Sequence, residues 1–97
     1  MSKEERINRI IVRGEFSDHA HIITGEAEVK RNENGNIIVK VGNEGAVLRH
    51  LLESEWLKGN EVKTDEHEDI ALDEGEYTYV PQEEFDPFEK IVRRVMD

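Results

Sequence analysis

The chain has 97 residues, no cysteine, and 23 Asp plus Glu against 13 Lys plus Arg, a formal net charge of -10 at pH 7. That length suits one domain with a single core, and the lack of cysteine excludes disulfides, thiolate zinc sites and cysteine nucleophiles. The acidic excess repels phosphate backbones and anionic membrane surfaces, so neither nucleic acid nor a membrane is expected as a direct partner.

Residues 1–6, Met-Ser-Lys-Glu-Glu-Arg, are charged, and the apolar run after them is short. No secretory leader or bilayer span is expected, which implies an intracellular setting. Ile7, Ile10, Ile11 and Val12, stopped by Gly14, predict a first strand over residues 6–13, with a short amphipathic helix as the alternative. Residues 19–23 predict a second strand. Thr24-Gly25 then predicts a tight hairpin into residues 26–30, pairing Ile22 with Ala27, His21 with Glu28 and His19 with Lys30. Ala20, Ile22, Ala27 and Val29 would share an apolar face, opposite His19, His21, Ile23, Glu26, Glu28 and Lys30.

Ile37, Val39 and Val41 alternate with Ile38 and Lys40 and should lie on that apolar face. A two-residue Asn34-Gly35 loop would put them on the wrong side, so a three-residue loop, Asn34-Gly35-Asn36, is expected, with Val29 opposite Val41. Further on, Val47, Leu48, Leu51, Leu52, Glu55 and Trp56 fit a helical stripe with Asn43 as N-cap and Gly59 as stop. A strand over 46–50 followed by a turn is the competing reading. Residues 61–66 and 69–72 predict weak short strands, and 76–82 a clearer one carrying Tyr77, Tyr79 and Pro81. Asp86-Pro87-Phe88-Glu89 has the form of a capping box, but the β-rich residues 90–95 predict a closing strand. The fold expected is mainly β: a small single-domain roll, barrel or sandwich built on an antiparallel meander, with at most one short helix.

The chemistry concentrates in Gly14-Glu-Phe-Ser-Asp-His-Ala-His-Ile-Ile-Thr-Gly-Glu26. Residues two apart in a strand share a face, so His19 and His21 could reach one metal ion, and imidazole is the commonest side-chain ligand of transition metals. Glu26 and His67, the latter between two glutamates, are the further candidate ligands, with His50 and Glu28 behind them. The plain alternative is a polar sheet face with His21 paired to Glu28. Trp56, Tyr77 and Tyr79 are candidates for a protein interface as well as for core.

The segments at 14–21, Glu-His-Glu-Asp-Ile-Ala-Leu at 66–72, Gly-Glu-Tyr-Thr-Tyr-Val-Pro-Gln at 75–82 and the ending Asp-Pro-Phe-Glu-Lys-Ile-Val-Arg-Arg-Val-Met-Asp resemble an uncharacterised family of short proteins. Its members are encoded by tailed bacteriophages and some bacteria. The run from His50 to Trp56 looks like an insertion found in phages of gut Bacteroidota, including the crAss-like group. The resemblance implies a phage-type protein, in the virion or host cytoplasm, without a settled activity.

Gly14, His19, His21 and Glu26 are also similar to the first cupin motif, which implies a metal site for Fe, Mn, Ni or Zn inside a β-barrel. Gly14 is one residue too close to His19, and no histidine follows His67. The function expected is therefore a non-enzymatic virion-associated, capsid auxiliary or head-assembly module. It would act by contact with a phage structural protein or with itself in a homo-oligomer. A cupin-like metalloprotein is the alternative.

Overall fold

In the computed structural model the residues described are 1–14, 17–64, 68–80 and 91–93. The N-terminal segment begins as a helix, α1 (Lys3–Asn8), because Ser2 and Glu5 cap it reciprocally. The Glu5 N–H donates to Ser2 Oγ at 3.1 Å and the Ser2 N–H to Glu5 Oε1 at 3.1 Å, which satisfies two donors the helix itself leaves orphaned. The expected strand over 6–13 is thus split, and only β1 (Ile10–Arg13), the β-branched part, is extended. The Ser-x-x-Glu spacing was the available signal for the helix.

Hydrogen bonds from the Ser2 backbone and then its hydroxyl hold the Glu5 carboxyl below its ordinary value. That contribution is present above the ordinary carboxylate range and is lost as pH falls through the lowered folded value. Ser2→Ala should therefore raise amide exchange in α1 about five-fold, the equivalent of the roughly 1 kcal/mol that a lost N-cap costs. Hydrogen-exchange NMR checks this, and unchanged α1 protection would contradict the capping account.

The centre of the fold is a long hairpin of β2 (His19–Arg31) and β3 (Ile37–Leu52). Its loop, residues 32–36, is organised by Asn32, whose Oδ1 accepts from the N–H groups of Asn34 and Asn36, both at 3.0 Å. Gly35 supplies the left-handed residue there, at φ +82°. Val29 lies opposite Val39, two residues from the expected register. A shift of two keeps every side chain on its face, so Ile37, Val39 and Val41 still join Val29 in the core.

The expected hairpin at Thr24-Gly25 does not form, and β2 runs straight through it. Gly25 pairs with Ala46 and Ala27 with Val41, so Glu26 alone on β2 faces the four residues 42–45 on β3. Gly25 at φ +98° and Gly45 at φ +81° make this bulge. Inside it Glu26 Oε1 accepts the Glu44 N–H at 2.9 Å. A left-handed glycine suits a bulge as well as a turn, and here the long apolar partner stretch of β3 favours the bulge. Without the turn, Ala20 and Ile22 lie on one face of the sheet and Ile23 and Val29 on the other.

Both faces are therefore buried near His19. On one side lie Ile11, Ile23, Val39, Leu48, Leu72, Tyr77 and Tyr79 among others. On the other, Ile10, Ala20, Ile22 and Leu51 are covered by Trp56. Trp56 belongs to α2 (Glu53–Lys58), a helix that starts only after β3 ends at Leu52. The expected helix from Asn43 is thus a strand as far as Leu52, while Gly59 ends α2 as expected, at φ +101°. Asp18 holds the start of α2: its carbonyl accepts the Glu53 N–H at 2.6 Å and its carboxylate the Ser54 N–H at 3.0 Å.

The chain then returns along β3, with Thr64 N–H donating to His50 O at 3.1 Å and a bridge between Lys63 and Leu51. That bridge is the described counterpart of the weak strand expected over 61–66. Next come β4 (Ile70–Leu72), β5 (Gly75–Tyr79) and β6 (Ile91–Arg93). The sheet order is β1-β2-β3-β5-β6, all antiparallel, with β4 on the other half of β3, and among the described residues the sheet does not close. The architecture is mainly β on an antiparallel meander, as expected, and the described residues include two short helices where at most one was expected. Pro81 and the capping-box pattern at 86–89 lie outside the described residues. Among those described, no helix is long and apolar enough to cross a membrane.

Candidate functional site

Running β2 past Thr24-Gly25 changes which residues face the histidines. His21 lies opposite His50 and His19 opposite Leu52, whereas Glu28 pairs with Lys40 beyond the bulge. The expected carboxylate partners of His19 and His21 are therefore elsewhere. Glu26 is five residues along β2 from His21, on the order of 16 Å at the usual strand rise, and its carboxylate is committed to the 42–45 bulge. His67 lies outside the described residues.

In place of those carboxylates, three imidazoles come together. The His21 and His50 rings are 4.5 Å apart between centroids and tilted at 43°, and the His19 and His50 rings are 5.2 Å apart and edge to face at 84°. Backbone geometry explains the close approach. His50 O points to Thr64 N–H, away from β2, so His21 and His50 form a non-hydrogen-bonded antiparallel pair, the class in which Cα atoms approach to about 4.5 Å. His19, two residues before His21, shares its face. The same face carries Ile23, Val29 and Leu48 of the main core, while Ala20 and Ile22 stay on the opposite face, so the histidines lie on an apolar face in place of the polar one the expected register gave them.

His21 is 7% exposed and His50 3%, while His19 is half-buried at the end of the strand. His50 Nδ1 is hydrogen-bonded to Thr64 Oγ1. Thr64 gave no signal in the sequence, because its place depends on the return of 60–64 along β3. Salt bridges frame that return: Arg49 pairs with Glu61 and with Asp69, the latter at 3.4 Å, and Lys63 reaches Asp69 at 3.3 Å. With side chains of one-fifth to one-half exposure, these bridges align the segment more than they stabilise it.

Such a cluster can ligate a metal or move a proton. Among the described residues no group of three or more His, Asp or Glu side chains is placed to hold a metal ion as it stands. Trp56, Tyr77 and Tyr79, candidates for core and for an interface, are buried in the chain's own core. Trp56 Nε1 donates to Arg6 O at 2.8 Å, and the Tyr77 hydroxyl donates to Asp73 O at 2.8 Å. Burial pushes the Tyr79 phenol above its ordinary value. These aromatic side chains are committed to intrachain contacts.

A family model described as a domain of unknown function, DUF8820, matches residues 2–82, a span that contains all three clustered histidines and Thr64. No curated protein and no solved structure matches the chain.

Proposed function

The chain belongs to the DUF8820 family, a domain of unknown function, and from its own residues we propose that it is a non-enzymatic phage-type protein, a virion-associated capsid auxiliary or head-assembly module acting through protein contacts. The observation that carries this reading is the sheet of the described residues, which ends on β1 and β6 instead of closing on itself. Terminal strands offer backbone groups to a neighbouring strand, the basis of β-augmentation and of many symmetric assemblies. At β1 the Arg31 guanidinium occupies the Ile10 carbonyl at 2.8 Å, which blunts part of that edge.

The formal charge of -10 supports a basic protein partner, such as a capsid surface, over packaged nucleic acid. The resemblance to short tailed-phage proteins supports the same setting, in the particle or the host cytoplasm. Mass spectrometry of purified particles from a phage that encodes the protein is the test. The protein is expected among the structural components; its absence from particles would overturn the virion reading.

A second reading, a cupin-like metal-binding protein or metalloenzyme, is favoured by the proximity of His19, His21 and His50. Its metals would be those that imidazole serves, Zn, Ni, Fe or, less readily, Mn. Loss of thermal stability on adding a chelator to the protein as purified supports this reading.

A further inference from the structure

We propose that His19, His21 and His50, drawn from two adjacent strands, form the ligand set for one borderline divalent transition metal of the zinc, cobalt or nickel class, with Thr64 orienting His50. This inference rests on the metal-binding reading and names its ligands. They differ from the set expected along the sequence, because Glu26 is held in the bulge and His50 takes its place.

The spacing of the rings fits such an ion. A metal about 2.0–2.1 Å from each ligating nitrogen sits about 3.2 Å from each ring centroid, and tetrahedral angles then place the centroids about 5.2 Å apart. The His19 and His50 rings are 5.2 Å apart and the His21 and His50 rings 4.5 Å. Both separations lie within about 1 Å of the tetrahedral value, so ring rotation and a small shift of His21 would bring the His21–His50 pair to it. His19, half-buried, is the most exposed of the three rings.

The hydrogen bond between His50 Nδ1 and Thr64 Oγ1 supplies the second element of such a site. A ligating histidine commonly uses its other nitrogen to bond a supporting group, which fixes ring orientation and tautomer. With the proton on Nδ1, the lone pair of His50 is on Nε2. An all-imidazole set favours borderline metals over Mg²⁺, Ca²⁺ and Mn²⁺, which prefer oxygen. Three protein ligands also leave a fourth position for water or another donor.

Zn²⁺ alone, titrated calorimetrically into the full chain, is the test. We expect one Zn²⁺ per chain. Thr64→Ala should weaken binding by roughly 10–100-fold, the usual cost of losing a supporting hydrogen bond, and His19→Ala should weaken it more. His19 is the least buried of the three, and circular dichroism checks that each variant folds. In the unmutated chain, histidine-ring NMR signals provide a measurement independent of folding of the variants: those of His19, His21 and His50 should shift together and saturate at one equivalent. No binding of Zn²⁺ would overturn both the metal reading and this ligand set. Stoichiometric binding that leaves these three ring signals unmoved, or that survives in a folded His19→Ala chain, would overturn the ligand set while the metal reading stands.

Discussion

Trp56→Ala is expected to lower the unfolding free energy by roughly 3–5 kcal/mol, the range for deleting a large buried aromatic side chain. For a domain of 97 residues, whose whole stability is on the order of 5–15 kcal/mol, that is a large share. The reason lies in the connections Trp56 makes. It is 1% exposed and covers Ile10, Ala20, Ile22 and Leu51 on the face of the sheet opposite the main core. Its indole N–H donates to Arg6 O at 2.8 Å, Arg6 Nη1 donates back to Trp56 O at 3.0 Å, and the Arg6 guanidinium lies 4.6 Å from the ring centroid. Losing the ring therefore opens a cavity and uncouples α1 from α2 together. Urea unfolding followed by far-ultraviolet circular dichroism measures the effect, since the variant has no tryptophan to report by fluorescence. A loss under about 1 kcal/mol, the size of an ordinary surface change, would contradict this packing.

The second large effect belongs to Gly25. Its φ of +98° is a conformation that side-chain-bearing residues rarely adopt, and an added Cβ would stand 2.9 Å from both the Ala46 Cα and the Gly45 carbonyl oxygen. Gly25→Ala thus meets backbone strain of about 1–3 kcal/mol and, in addition, a contact with backbone that cannot swing aside. Gly35→Ala is the control. Gly35 is also left-handed, at φ +82°, but an added Cβ there meets nothing within 4 Å. Both variants should be destabilised in thermal or urea unfolding, with Gly25→Ala the worse. Equal losses would show that the bulge is looser than described, and a neutral Gly25→Ala would contradict the bulge itself.

Gly25 is also where reading the sequence and seeing the fold diverge most. Thr24-Gly25 between two apolar runs reads locally as a tight hairpin, although β-branched Thr24 is a poor first residue for one. What defeats it is a longer-range gain: the whole of β2 finds a partner in the stretch from Ile37 to Leu52. Where the pattern is periodic and the partner adjacent, residue reasoning carried through. Val29, Ile37, Val39 and Val41 reach one core because alternation fixes faces even when the loop length is misjudged by two. Gly59 ends α2 for the local reason expected of it, a left-handed C-cap.

The histidine cluster was half legible. His19 and His21 stand out because a two-residue spacing on a strand is a local property. His50 could be weighed only as a remote candidate, because its approach depends on the register of two strands across a bulge. Thr64 depends on the further return of the chain along β3. Trp56, Tyr77 and Tyr79 fit core as well as interface in the sequence, and a small sheet with two covered faces takes them inside.

The uninterrupted β2 strand and the resulting pairing of His21 with His50 are what the candidate site stands on. A nuclear Overhauser spectrum of the isotopically labelled chain tests them directly. Strong cross-peaks between the Hα protons of His21 and His50, and of Ile23 and Leu48, are predicted, because these pairs lie at the close, non-hydrogen-bonded positions of the β2–β3 ladder. Cross-strand peaks joining Ile22 to Ala27, or His21 to Glu28, in place of those to β3 would place a turn at Thr24-Gly25 and contradict the arrangement.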